Sequence, residues 1–125
     1  MDDDQTQSIA RHGRTTIAPG VLLNIARLAA LGVPGVARMS PVPGGVNRLF
    51  KRGIGDGVRI EIRDQAVAVD LYLIVNHDAS LHDTGRAVQT EVARSIREMV
   101  GMDILAVNVY VEDVAYPVAA PPAGG

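Results

Sequence analysis

The sequence predicts an α+β domain: a two-layer sandwich of element order β-α-β-β-β-α-β, with both helices on one face of a mixed sheet. Two neighbouring segments, 58–63 and 67–75, alternate apolar and polar residues and meet at a tight turn. A long amphipathic segment follows over 81–99, and 103–112 then alternates again. Because each element has one apolar face to bury, the helices and the sheet should share a single core.

The length and composition fit one domain. A chain of 125 residues with 47% hydrophobic residues can bury a core of its own. We place the domain at 14–116, between a predicted disordered N-terminal tail, 1–13, and a predicted disordered Pro/Gly/Ala tail, 117–125. No basic and apolar leader opens the chain, so we expect a cytoplasmic protein.

The first third of the chain predicts one helix between two short strands. Strand candidates are 14–17 and 35–39. Pro19 suits a first helical turn, and Gly32 followed by Pro34 ends the helix. The apolar residues expected to line its buried face are Val21, Leu22, Ile25, Leu28 and Ala29.

The second helix has clear signals at both ends. Ser80 can accept a hydrogen bond from a free backbone N–H, while Asp83 favours the positive end of the helix dipole. Gly101 ends the helix. The stripe expected to face the sheet is Leu81, Gly85, Val88, Val92, Ile96 and Met99.

Catalytic motifs are sparse. With no cysteine in the chain, disulfides, thiolate metal sites and cysteine nucleophiles are excluded. The densest reactive cluster, 77–83, holds His77 and His82, but all its members lie in one strand-to-helix turn and cannot converge on a metal. We therefore expect no catalytic residue, cofactor or metal, and a hydrolase using these histidines is kept only as an alternative.

The stretch 47–57 combines positive charge with glycine. Gly53 to Gly57 lacks the ending of a phosphate loop and leads into a strand, so we predict a flexible loop there and not a phosphate cradle. Before it, a basic loop could touch an anionic membrane surface or an acidic partner; its candidate residues are Arg48, Phe50, Lys51 and Arg52. The alternative is that its apolar side chains tuck into the core while the charges stay hydrated.

The sheet face turned away from the helices is unusually apolar. Strict alternation places on it Ala68, Asp70, Tyr72, Ile74, Ile104, Ala106, Asn108 and Tyr110. We expect this face to mediate self-association or partner docking, with Tyr72, Ile74, Ile104 and Tyr110 as contacts. The alternative is that a terminus or the loop around Phe50 covers it within one chain.

A nucleic-acid-binding domain is an alternative function that this face suggests. The two tyrosines on this face could stack on bases, but Glu61 and Asp70 share the face with them. Nucleic acid is therefore not the expected partner.

Three long stretches resemble one known family. They are G-R-T-T-I-A-P-G-V-L-L-N-I-A-R-L-A-A-L-G-V-P-G-V, G-V-R-I-E-I-R-D-Q-A-V-A-V-D-L-Y-L-I-V and V-Q-T-E-V-A-R-S-I-R-E-M-V-G-M-D-I-L-A-V-N-V-Y-V. In order and spacing, from Gly13 to Val114, they resemble the alkaline shock, or envelope stress response, proteins of Gram-positive bacteria. The resemblance implies a cytoplasmic, non-enzymatic scaffold protein. Such a protein self-associates as a homo-oligomer, gathers at the membrane through a membrane-anchored protein partner and supports the cell envelope under stress.

Overall fold

The computed structural model describes residues 16–43, 52–55 and 57–117. These ranges contain two helices and five strands, and they confirm the predicted α+β fold class. In chain order the elements are α1 (Pro19–Leu31), β1 (Val36–Met39), β2 (Arg52–Gly55), β3 (Val58–Arg63), β4 (Ala66–Asn76), α2 (Leu81–Val100) and β5 (Asp103–Ala115).

Strand β4 is the centre of the sheet. On one side β3 pairs antiparallel with its first half and β1 antiparallel with its second half, while β5 runs parallel along the other side. The backbone of Tyr72 joins the two halves, since its N–H donates to the Gly57 carbonyl at 2.9 Å and its carbonyl accepts from the Ser40 N–H at 2.8 Å. β2 pairs antiparallel with the outer side of β3, so the sheet is mixed, as predicted.

Both helices pack on the same face of this sheet. The side chains between the two layers are large and fully buried: Leu22, Val58, Ile60, Val67, Val69, Leu71, Leu73, Val75, Val88, Val92 and Ile96. Burying each of them stabilises the fold by about 1.5 to 3 kcal/mol before chain entropy is counted. The alternation predicted for β3 and β4 is therefore confirmed.

Helix α1 is rotated relative to the prediction. Its fully buried residues are Leu22, Ala26 and Ala30, whereas Val21 is 46% exposed and Leu28 is 61% exposed. The small alanines let α1 approach its neighbours closely, which the larger apolar side chains would prevent. The prediction was thus wrong for Val21 and Leu28, whereas Leu22, Ile25 and Ala29 do pack against the core.

Helix α2 begins and ends at the predicted residues. The backbone N–H of Asp83 donates to Ser80 Oγ at 3.2 Å, and Gly101 takes a left-handed φ of 79° after the last turn. Val88, Val92 and Ile96 form the buried stripe. The predicted stripe is too long, because the side chains at its two ends, Leu81 and Met99, are 45% and 70% exposed.

Two predictions about strands were wrong within the described residues. Thr16 and Ile17 precede α1 without strand structure, and the rest of the 14–17 candidate lies outside the described residues. The glycine-rich stretch predicted to be a flexible loop contains β2, in which Arg52 pairs with Glu61 and Gly55 with Val58. Glycine offers no side-chain periodicity, but its backbone can still donate and accept in a ladder.

Candidate interaction surface

The sheet has one face that is turned away from both helices, called the open face here. It carries the residues that alternate with the buried core positions: Arg59, Glu61 and Arg63 on β3; Ala66, Ala68, Asp70, Tyr72 and Ile74 on β4; and Ala106, Asn108 and Tyr110 on β5. The strand register arranges these residues in rows. Ala68 lies between Glu61 and Ala106, the next row is Arg59, Asp70 and Asn108, and Tyr72 pairs with Tyr110.

Ile104 does not belong to the open face, and its predicted placement there was wrong. The register passes from Val67 opposite Ile104 to Ala68 opposite Ala106, so Leu105 is an extra residue in a β-bulge. The bulge resets the alternation at this point. Ile104 consequently packs against the core, and Leu105 is 51% exposed.

The two tyrosines of the open face form a stacked pair. The ring centroids of Tyr72 and Tyr110 are 4.9 Å apart, with 14° between the ring planes. Tyr72 is only 6% exposed and Ile74 only 8%, whereas Tyr110 is 42% exposed. Tyr72 therefore supports the ring of Tyr110, which is the accessible aromatic side chain of this face.

A hydrogen-bonded network surrounds the pair. Arg59 donates from Nε to Asp70 Oδ2 at 3.2 Å and from Nη2 to the Tyr72 hydroxyl at 2.8 Å. Asn108 Nδ2 donates to the other carboxylate oxygen of Asp70 at 2.9 Å. Each of these half-exposed contacts is worth about 1 kcal/mol or less, but together they hold the side chains of three strands in one arrangement.

The hydroxyl of Tyr72 should give the protein a stability change at high pH. Burial raises the pKa of Tyr72 above its usual 10.0, although the positive charge of Arg59 opposes this and Asp70 adds to it. The unfolded chain then releases this proton before the folded chain does. The stabilisation that comes from burying the phenol in its neutral form is fully present below about pH 10 and is lost as the pH rises through the raised pKa.

We therefore expect the unfolding free energy of the parent to fall more steeply above about pH 10 than that of Tyr72→Phe. Urea unfolding at several pH values measures the difference. Tyr116→Phe is the control, because Tyr116 is 72% exposed, and this variant should follow the parent. Parallel curves for parent and Tyr72→Phe would contradict the assignment.

A concavity of about 250 Å³ lies beside this network, lined by Arg59, Glu61, Ala68 and Asp70. Its charged groups are paired: the carboxylate of Glu61 accepts from Arg63 at 3.2 Å, and Asp70 accepts from Arg59 at the same distance. The concavity thus has polar walls, a small apolar residue in its lining and balanced charge.

Strand β5 is an edge strand within the described part of the chain. Thirteen residues long, it would offer an extended row of backbone groups to a neighbouring chain. Gln89 of α2 reaches over this edge, and its Nε2 donates to the Val107 carbonyl at 3.0 Å. The bulge at Leu105 and this side chain both interrupt the edge, so the open face is the better docking surface.

The reactive cluster at 77–83, which contains His77 and His82, lies between the end of β4 and the first turn of α2. The His77 ring stacks on Tyr116 with 5.3 Å between centroids, in a concavity of about 350 Å³ that Asn76, Asp78 and Ala115 help to line. Nowhere in residues 16–43, 52–55 and 57–117 do three His, Cys, Asp or Glu side chains come together in a way that could hold a metal ion.

The basic loop is only partly covered by the structure. Arg48, Phe50 and Lys51 lie outside the described residues, and Arg52 is the first residue of β2. Contact of this segment with an anionic surface therefore stays a prediction.

A family model matches residues 7–116 of the chain, almost all of the folded part. It describes the alkaline shock protein 23 family, with cell envelope-related function. The chain belongs to this alkaline shock protein family. The match confirms the resemblance that the sequence indicated.

Two members of this family from Bacillus subtilis (strain 168) are similar along most of their length. The uncharacterized protein YqhY is 29% identical over 122 residues, which cover 96% of this chain and 87% of YqhY. The uncharacterized protein YloU is 25% identical over 108 residues, covering 83% of this chain and 90% of YloU.

Solved structures of the MamM CTD share the fold. The MamM CTD fragment 215-293 aligns with a TM-score of 0.53 at 22% identity, covering 75% of this chain and 96% of that one. A manganese form of the MamM CTD aligns with a TM-score of 0.52 at 21% identity and the same coverage. At this identity the likeness concerns the fold alone.

Among the described residues, neither helix is long and apolar enough to cross a membrane.

Proposed function

We propose that this protein is a non-enzymatic scaffold of cell-envelope homeostasis and stress response, which acts near the membrane through self-association and a membrane-anchored protein partner. The envelope-related function of its family supports the setting. The open face supports the mode of action, because it offers a surface for another protein.

The observation that carries the proposal is the ordered tyrosine pair. Tyr110 is 42% exposed, yet its ring is held by Tyr72, which Arg59 fixes through a hydrogen bond of 2.8 Å. A partner that covers Tyr110 gains apolar area without first having to order the side chain. Exposed aromatic residues of this kind are frequent anchors of protein interfaces.

The charges of the open face favour a protein partner over nucleic acid. Arg59 and Arg63 are each paired with a carboxylate, so the face lacks the excess of positive charge that binds phosphate backbones.

The experiment is performed in the native host. With the tagged parent, we expect cosedimentation with membranes and covalent capture of a membrane protein by a short cross-linker. Tyr110→Arg should lower both signals several-fold, because a charged side chain replaces the proposed anchor. Tyr116→Arg is the matched control, since it alters an exposed tyrosine outside the open face, and it should behave as the parent does.

Two results would count against the proposal. One is a parent chain that neither cosediments with membranes nor cross-links to any protein. The other is equal loss of both signals in the two arginine variants, because that would show a general effect of charge.

A further inference from the structure

The open face holds both an exposed aromatic side chain and a concavity with a small residue in its lining. The exposed side chain is Tyr110, at 42%. The concavity of about 250 Å³ is lined by Arg59 and Asp70, in the row next to the tyrosine pair, and by Glu61 and Ala68, one row further away. One face therefore carries a protrusion and a hollow at two separate places.

Resting on the proposed function, we propose that the open face pairs with the open face of a second copy, Tyr110 of each copy entering the concavity of the other. A two-fold axis that crosses the row of Asp70 and Asn108 exchanges the two places. The same contact is then made twice, as in isologous dimers. A different protein would need its own matching side chain and hollow, whereas a second copy already has both.

The chemistry of the concavity suits a phenol. Its lining includes Ala68, whose row neighbour on β5 is Ala106, and these small side chains leave room for a ring. The hydroxyl of Tyr110 can donate to the carboxylate of Glu61 and accept from the guanidinium of Arg59. Tyrosine satisfies both requirements, because its ring is apolar and its tip is polar.

The charges of the face also favour an identical partner. Arg59 pairs with Asp70, and Arg63 pairs with Glu61, each at 3.2 Å. The charges within each of these two ion pairs cancel, so the pairs cause no net repulsion between two copies of the face. An anionic membrane gains no net attraction from the same four groups.

The test introduces opposite charges at the protrusion, Tyr110, and at the hollow, beside Ala68. Tyr110→Glu should spoil the protrusion and Ala68→Lys the hollow, so each variant alone should raise the dimer dissociation constant about tenfold or more. An equimolar mixture should recover dimers, because Tyr110 of one chain enters an intact concavity while the new glutamate meets the new lysine. Sedimentation equilibrium measures the dissociation constants of the single variants. Native mass spectrometry of the mixture, with one variant isotope-labelled, measures how much mixed dimer forms.

Matched variants keep the result interpretable. Tyr110→Phe retains the ring that stacks on Tyr72 and loses only the hydroxyl, so it should weaken the dimer less than Tyr110→Glu does. Tyr116→Glu introduces the same charge elsewhere and should keep the parent's mass. Lysine at position 68 lies opposite Glu61 across the strands, a favourable pair that should preserve the fold. Circular dichroism confirms that each variant is folded.

The outcomes separate this inference from the proposed function. A parent that associates while the mixture fails to recover dimers overturns the paired-face geometry and leaves the scaffold role standing. Association that survives both single substitutions overturns it as well. A parent that stays monomeric at all concentrations, and captures no membrane protein in cells, overturns both.

Discussion

Gly57→Ala should reduce the unfolding free energy by about 3 to 5 kcal/mol or prevent folding altogether. Gly57 has a φ of +82°, in the left-handed region that L-residues avoid. An added Cβ would also lie 2.5 Å from the Ser40 carbonyl oxygen and 3.0 Å from the Tyr72 carbonyl oxygen. Both are backbone atoms and cannot turn away as a flexible side chain could.

Gly101→Ala is the matched control for this prediction. Gly101 has nearly the same φ, +79°, but nothing lies within 4 Å of an added Cβ. Only the conformational strain remains, so we expect a loss of about 1 to 2 kcal/mol. Urea unfolding of the two variants separates strain from steric overlap, and equal losses would show that the crowding at Gly57 relaxes easily.

The position of Gly57 explains why this change should be so costly. β1 ends and β3 begins beside the same part of β4, and Gly57 fills the junction between them. Its carbonyl accepts from the Tyr72 N–H at 2.9 Å, which fixes the strand that carries the tyrosine pair. Displacing this junction would disturb the open face together with the fold.

Local signals predicted the elements that depend on nearby residues. The β3–β4 hairpin follows from alternation on both sides of a two-residue turn, and Asp64 takes the positive φ, 57°, that such turns favour. The start of α2 at Ser80 and its end at Gly101 follow from capping chemistry within a few residues. These features need no knowledge of the rest of the chain.

Strand β2 was missed although a signal was present. The dipeptide Asp56-Gly57 is typical of two-residue hairpin turns, and the structure pairs Gly55 with Val58. The alternating glycines masked this signal, because they remove the side-chain pattern by which strands are recognised.

The tyrosine pair depends on a bulge that the sequence does not reveal. Ile104 and Leu105 are both apolar, so alternation gives no sign of which one faces the core. If the register continued from the Val67–Ile104 pair without an extra residue, Tyr72 would lie opposite Val109. The bulge instead aligns it with Tyr110. Side-chain alternation predicted which face the tyrosines share, but their contact is a property of the long-range register.

Leu71→Ala should reduce the unfolding free energy by about 3 kcal/mol, within the 2 to 5 kcal/mol typical of buried leucines. Leu71 is fully buried in the core, so its removal loses apolar burial and leaves a cavity between the helices and the sheet. Leu28→Ala is the control: the same change at a side chain that is 61% exposed should alter stability by only about 0.5 kcal/mol. Urea unfolding measures both, and a small loss at Leu71 would mean that the core collapses around the missing side chain.

The same strand should separate stability from association. Leu71 lies between Asp70 and Tyr72 in the chain, yet its side chain points to the core while theirs lie on the open face. Under conditions where it remains folded, Leu71→Ala should therefore keep the parent's oligomer mass, since the tyrosine pair and the concavity are unchanged. Tyr110→Glu should show the reverse, a reduced mass with a smaller loss of stability than Leu71→Ala. Loss of mass in folded Leu71→Ala would show that association depends on the rigidity of the whole sheet.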